Sequence, residues 1–299
     1  MTHKKMKILF MGTVQFSFTA LSSLIKNKFK INGVITKRES NYNADYYDLT
    51  PLCADNNIPL FYKTKSNSNE LVSFIKNINP DVIYCFGWSH ILSNTVLTLP
   101  KYGVIGFHPA KLPSNRGRHP IIWALFLGID ETASTFFFMD EGADTGDIIS
   151  QVKIKINNDN ASSLYKKITK VALEQILLFS EDLEINKGVI NRTKQDLTIG
   201  NSWRKRNIND GKIDFRMSTN AIINLVKALT HPYIGAHVEY LKEDVKIWKV
   251  VSYNIFKKNY EPGKVLEIIG SDIVVKTYDG AIRILDHDFD KLPIIGEYI

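Results

Sequence analysis

The chain predicts an α/β fold: a Rossmann-like, mainly parallel sheet followed by a smaller carboxy-terminal β-barrel of OB-like type. Three observations carry that expectation. Up to about residue 200, short apolar runs alternate with longer stretches of helical periodicity, as in strand–helix–strand units. After Gly200 the texture changes to short runs rich in Val, Ile and Tyr between turns, which suits a small barrel. Finally, loops that follow two of the apolar runs hold a histidine and several carboxylates, and strand ends are where open α/β sheets keep their chemistry. The expected division is 1–200 and 201–299.

Taken in order, Lys7 to Met11 reads as a strand running into Gly12 and Thr13. An amphipathic helix follows with Phe16, Ala20, Leu21 and Leu24 on one side. Gly12 and Thr13 are candidates for substrate contact, but no full Gly-x-Gly-x-x-Gly is present, so a dinucleotide is not supported. Ile31 to Thr36 reads as a second strand, followed by a polar, tyrosine-rich loop to Asp48. A helix near Thr50 to Asn56, a strand at Ile58 to Tyr62 and a helix from Asn69 to Asn77 come next. Asn79-Pro80 stops that helix, and Asp81 to Phe86 is a buried-looking strand. Ile148 to Ile156 suggests a strand and Ser162 to Asn186 a long helix. Beyond a linker, Thr219 to Leu229 is helical, and strands are expected at 236–241, 245–252, 263–269, 273–277 and 281–285. Asp279-Gly280 is a hairpin signal.

The stretch from Tyr102 to Asp147 is the richest in chemistry. An apolar run ends at His108, and Pro109 and Pro113 force the chain out of strand geometry just beyond it. Ser114, Asn115, Arg116, Gly117 and Arg118 form a polar loop, and His119-Pro120 opens a helix with proline in its first turn. A second apolar run, Ser134 to Met139, leads to a loop holding Asp140, Glu141, Gly142, Asp144 and Asp147. An imidazole beside a carboxylate suits proton transfer, because the carboxylate orients the ring and stabilises its cation. On pattern alone, a histidine that follows a strand is more often a hydrogen-bonded structural residue than a catalytic one, and the acidic loop also reads as a solvated turn.

The linked motifs His108-Pro109-Ala110-Lys111-Leu112-Pro113, Arg116-Gly117 and Asp140-Glu141-Gly142-Ala143-Asp144-Thr145-Gly146-Asp147 resemble the signature of the formyltetrahydrofolate-dependent formyltransferases. The resemblance spans essentially the whole chain. It implies that His108 and Asp144 are catalytic and that N10-formyltetrahydrofolate is the co-substrate, with no metal. It places the pterin between the loop Phe86, Gly87, Trp88, Ser89, His90, Ile91 and Leu92 and the loop from Asp140 through Glu141 and Gly142 to Asp144. Arg116 and His119 are then candidates for holding the second substrate. One position departs from the pattern. The family normally has an asparagine two residues before the histidine, where it helps hold the oxyanion, and this chain has Gly106. Asn115 is the candidate substitute, with backbone amides or His119 as the alternatives.

The fuller phrase from Gly106 to Ala124 is most similar to the branch that formylates nucleotide-linked amino sugars. The expected acceptor is therefore the primary amine of such a sugar, with methionyl-tRNA formylation the alternative. A folate-binding protein without catalysis, or a formyltetrahydrofolate hydrolase, stands further off. Charge is used to choose between sugar and nucleic acid. The net charge is +7, but residues 201–299 hold 15 Lys+Arg against 13 Asp+Glu. That near balance argues against a strong nucleic-acid grip. No apolar run approaches membrane-spanning length, and Cys53 and Cys85 fit no metal spacing. The expected setting is cytoplasmic, with reduced thiols, no membrane partner, and a homodimer left open.

Overall fold

The computed structural model describes residues 5–39, 45–64, 66, 68–255 and 259–299. Part of the expected polar loop, residues 40–44, lies outside the described residues. The chain forms two compact units. The first gathers residues 1–117, 132–154 and 167–202, and the second gathers 118–131, 155–166 and 203–299.

The first unit is built on a seven-stranded sheet. Its strands are β1 (Ile8–Met11), β2 (Ile31–Thr36), β3 (Leu60–Tyr62), β4 (Val82–Cys85), β5 (Val104–His108), β7 (Glu131–Phe138) and β8 (Ile148–Lys155), while β6 (Arg116–Gly117) lies outside it. The order is β3-β2-β1-β4-β5-β7-β8. The first five strands pair in parallel. The order reverses between β1 and β4, and the loops after those two strands therefore flank a switch point where such sheets bind ligands. Every residue of β1 and β4 is buried, which is why these strands read as unbroken apolar runs.

Helices cover the faces: α1 (Gln15–Lys26), α2 (Thr50–Asp55), α3 (Ser68–Ile78), α4 (Asn94–Leu97) and, after α5 (Pro120–Phe126) of the second unit, the long α6 (Ala161–Ile185). Phe16, Ala20, Leu21 and Leu24 of α1 are all buried, as their spacing requires. Phe179 of α6 meets Tyr84 and Phe136 edge-on or tilted at 5.7 and 5.0 Å, and Ser180 hydrogen-bonds the Tyr84 hydroxyl at 2.8 Å. Strand β3 is shorter than expected for a local reason. Asn57 adopts φ 51 and Ile58 donates back to the Cys53 carbonyl, so Ile58 closes α2 instead of entering the sheet. Burial pushes the Cys53 and Cys85 thiols up to about 11 and about 12, which keeps both as thiols.

β7 runs antiparallel to β5, pairing Phe138 with Ile105 and Thr135 with His108. Its end therefore lies beside the start of β5, away from His108. The two strands do not deliver their loops to a common edge; the loop from Asp140 to Asp147 must turn back to reach the histidine.

The second unit joins α5 (Pro120–Phe126) and α7 (Thr219–Leu229), which pack together, to a five-stranded antiparallel sheet. The short β9 (Ser202–Trp203) precedes it. The order is β10-β11-β14-β13-β12, from β10 (Ala236–Tyr240), β11 (Glu243–Tyr253), β12 (Val265–Ile269), β13 (Asp272–Lys276) and β14 (Ala281–His287), consistent with the small barrel expected. Thr277 donates to Gly280, closing the hairpin, and Asp279 turns its carboxylate to the Thr219 amide and hydroxyl at 2.7 and 2.9 Å. The hairpin tip thus caps the start of α7.

Candidate active site

His108, the last residue of β5, is only 4 % exposed. Its two ring nitrogens each face an oxygen. Nδ1 lies 3.5 Å from Asp144 Oδ2, and Nε2 lies 2.8 Å from the Asn115 carbonyl oxygen. A carbonyl can only accept, so Nε2 carries a hydrogen in this arrangement. Protonation at Nδ1 would let the ring satisfy both oxygens at once, whereas the neutral ring satisfies one. The geometry suits a ring that receives a proton and hands it on.

Each partner is held in turn. Asp144 sits in the left-handed region at φ 59, and the Gly117 amide donates to its carboxylate at 2.9 Å. Asp140 accepts from the Gly142 amide and the Thr145 hydroxyl at 3.0 and 2.6 Å, which folds the inner turn of the loop. Asn115 is also left-handed, at φ 64, and its amide donates to the Asn201 side chain at 2.8 Å. The structure therefore brings Asn115 to His108, but by its backbone carbonyl.

At Gly106 the space for a side chain is already taken. A Cβ there would stand 2.9 Å from Met139 Cγ and 3.0 Å from Phe137 Cζ. Apolar side chains occupy the direction in which a side-chain donor would leave this position.

The loops at the switch point are tied together by Ser17, which the sequence reading did not single out. Its hydroxyl donates to the Phe86 carbonyl at 2.6 Å and accepts from the amides of Thr13 and Val14, both at 3.1 Å. Thr13 adds a bond from its hydroxyl to the Gly87 carbonyl at 3.0 Å. Glycine is required at 12, where a Cβ would meet Ser17 at 2.4 Å and the Phe86 carbonyl at 2.6 Å. The only signal available in the sequence was a serine in the first turn after an apolar strand and glycine.

The expected pterin loop divides into buried and open parts. Phe86 is fully buried against Phe10, Tyr84 and Phe136, and Leu92 joins the core beneath the sheet. Trp88 and Ser89 are half-buried, and His90 and Ile91 are exposed. The Lys37 ammonium lies 2.5 Å from His90 Nε2 and 5.5 Å from the centre of the Trp88 ring. An ammonium only donates, so His90 Nε2 accepts. Lys37, just after β2, is a further member of this edge that the sequence pattern does not mark. Opposite it in the expected site, Asp140, Glu141 and Gly142 are exposed. Exposed backbone and ring surface on these loops suit a flat, edge-polar group such as a pterin.

Arg116 is half-buried, and its amide donates to the Asn201 carbonyl at 3.1 Å. His119 belongs to the second unit and begins α5 at φ 56. The Arg206 amide donates to its Nδ1 at 3.3 Å. Burial, with Arg118, Arg206 and Lys205 nearby, lowers its pKa to about 4, so it is neutral near pH 7. Arg206 lies 4.8 Å from the centre of the Trp123 ring, and Arg204 pairs with Asp210. An open surface cavity of about 610 Å³ between α6 and β8, lined in part by Ser150, Gln175 and Asp182, includes none of the expected site residues.

The family model described as formyl transferase matches residues 5–179, and that of the formyl transferase C-terminal domain matches residues 207–295. A methionyl-tRNA formyltransferase of Clostridioides difficile is 31% identical over 302 residues, covering 98% of this chain and 96% of the relative. Among solved structures, WlaRD, described as a sugar 3N-formyl transferase in the presence of dTDP and 5-N-formyl-THF, has a TM-score of 0.70 at 21% identity. That match covers 97% of this chain and 100% of WlaRD. HypX from Aquifex aeolicus in complex with tetrahydrofolic acid has a TM-score of 0.69 at 19% identity, covering 96% of this chain and 45% of HypX.

Proposed function

The chain belongs to the formyl transferase family, and we propose that it moves a formyl group from N10-formyltetrahydrofolate to the primary amine of a nucleotide-linked amino sugar. The acceptor class is an aminodideoxyhexose or an aminated nonulosonic acid destined for surface glycans. The observation that carries formyl transfer is the contact between His108 and Asp144, made from residues 36 apart at the end of a parallel strand. For the acceptor, the support is the fold-level likeness to a sugar 3N-formyl transferase and the near-balanced charge of residues 201–299.

In the reaction the acceptor nitrogen attacks the formyl carbon, and the carbonyl electrons move to oxygen. The nitrogen must shed a proton, and N10 must gain one as its bond to carbon breaks. His108 takes the first proton while Asp144 stabilises the ring cation, and the same ring returns a proton to N10. Asn115 supplies an amide donor to the oxyanion, in place of the side chain that Gly106 lacks. Trp88 to Ile91 and Asp140 to Gly142 would hold the pterin, with Lys37 paired to His90 on that side. Gly12, Thr13 and Arg116 are the residues through which the first unit would hold the acceptor.

Methionyl-tRNA formylation is the second reading, favoured by the full-length relative at 31% identity. Loss of catalysis, with retained folate binding, is opposed by the intact His108–Asp144 contact. One experiment separates these readings. Release of tetrahydrofolate is followed with a panel of amino-sugar nucleotides, with charged initiator tRNA, and with water alone. Turnover confined to an amino-sugar nucleotide supports the proposal; turnover confined to tRNA, or equal turnover in water, overturns it.

A further inference from the structure

We propose that Gln195 is a positioning residue for His108 and Asp144, at the head of a segment, residues 195–201, that sets the spacing of the two loops flanking the ring. This deepens the formyl-transfer reading above and rests on it for its kinetic arm.

Gln195 is 6 % exposed, and its Nε2 donates to the Asp144 carbonyl at 3.0 Å and the Gly146 carbonyl at 2.6 Å. Two carbonyls can only accept, so the chemistry fixes which end of the amide faces them. Its Oε1 is buried with no hydrogen-bond partner, an unfavourable arrangement tolerated here alongside the two bonds from Nε2. Those bonds fall on the carbonyls of the left-handed Asp144 and of Gly146, two residues on, and reach across 51 and 49 residues of sequence.

The other end of the segment grips the second loop. Gly200, at φ 92, lies so close to Pro113 that a Cβ would stand 2.4 Å from its carbonyl oxygen. Asn201 accepts from the Asn115 amide with its side chain and from the Arg116 amide with its backbone. One short segment thus holds both the loop that carries the Asp144 carboxylate and the loop that carries the Asn115 carbonyl. Those are the two oxygens flanking the His108 ring. Because β7 ends away from His108, the strand pairing alone does not place Asp144 there.

Gln195→Leu removes both donors at similar volume, and Gln195→Glu keeps the shape but faces the two carbonyls with an acceptor. Each is expected to lower kcat about 10- to 100-fold, the scale of a displaced catalytic group. In a His108→Ala background the same changes should give no further fall. A further fall of equal size there, or no fall in the single variants, overturns the proposal. Should the buried variants fail to fold, Asn201→Ala tests the exposed end of the segment, with a several-fold fall that also vanishes in the His108→Ala background. The arm that needs no turnover is the nitrogen NMR spectrum of the His108 ring, which should shift between wild type and Gln195→Glu or Asn201→Ala. An unchanged ring signal overturns the proposal whether or not the wild type is active. An inactive wild type with a shifted signal instead sinks the formyl-transfer reading and sustains this one.

Discussion

Replacing Gly146 by alanine is expected to displace the Asp144 carboxylate, the proposed partner of His108, two residues away along the backbone. A Cβ on Gly146 would stand 1.7 Å from the Phe138 carbonyl oxygen and 2.9 Å from its carbon, both backbone atoms of β7 that no rotamer change can move. Ordinary Cβ contacts stay beyond 3.0 Å, so the loop and the strand must part by about 1.3 Å in a close-packed region. The bonds nearest this contact are Phe138 N–H to Asp147 and Gln195 to Gly146, at 2.8 and 2.6 Å. Losing both, with their groups left buried, costs about 2–4 kcal/mol. The same movement shifts Asp144, and a displacement of about 1 Å at a proton-transfer group costs about 10²-fold in rate. The assay pairs thermal unfolding with kcat for formyl transfer. A lower melting temperature and a turnover reduced about 100-fold are expected. Gly146→Ala protein with wild-type melting and wild-type turnover would refute the reasoning.

Two other expectations follow from the same site. Asn115→Gly removes the side-chain amide while retaining the backbone carbonyl and a residue at ease at φ 64; turnover should fall about 10²–10³-fold, and full turnover would remove Asn115 from the oxyanion site. His119 makes the fold acid-sensitive: below about pH 6.5 the unfolded chain binds a proton that the folded chain, with its pKa near 4, still refuses, so stability falls as pH drops through that window. Discounted for the half-buried ring, the loss is about 1–2 kcal/mol, and the stability difference between wild type and His119→Asn in urea should change by that much between pH 7 and pH 4; a pH-independent difference would contradict it.

Much of this architecture was legible because burial leaves a strong periodic trace. β2 and α7 fall at the expected residues, since a six-residue apolar strand and an eleven-residue amphipathic helix declare their own ends. The hairpin at Asp279 was also legible, but its use as a cap for α7 was not, because nothing local says that Thr219 will lie beneath it. The antiparallel direction of β7 left no mark either: strand direction depends on partners, not on the residues of the strand. At the site, His108 and Asp144 could be named because their motifs are distinctive. Ser17, Lys37 and Gln195 could not, since each is an ordinary residue whose importance comes from carbonyls and rings brought to it from distant segments. Gly106 was visible as a departure, yet only the structure shows Met139 and Phe137 filling the space beside it.

The most direct test of the central claim is the rate of formyl transfer to an amino-sugar nucleotide in His108→Ala protein that retains its fold. With His108 as the group that moves the proton beside Asp144, turnover should fall by about 10²–10⁴-fold relative to wild type. Turnover close to wild type would contradict it.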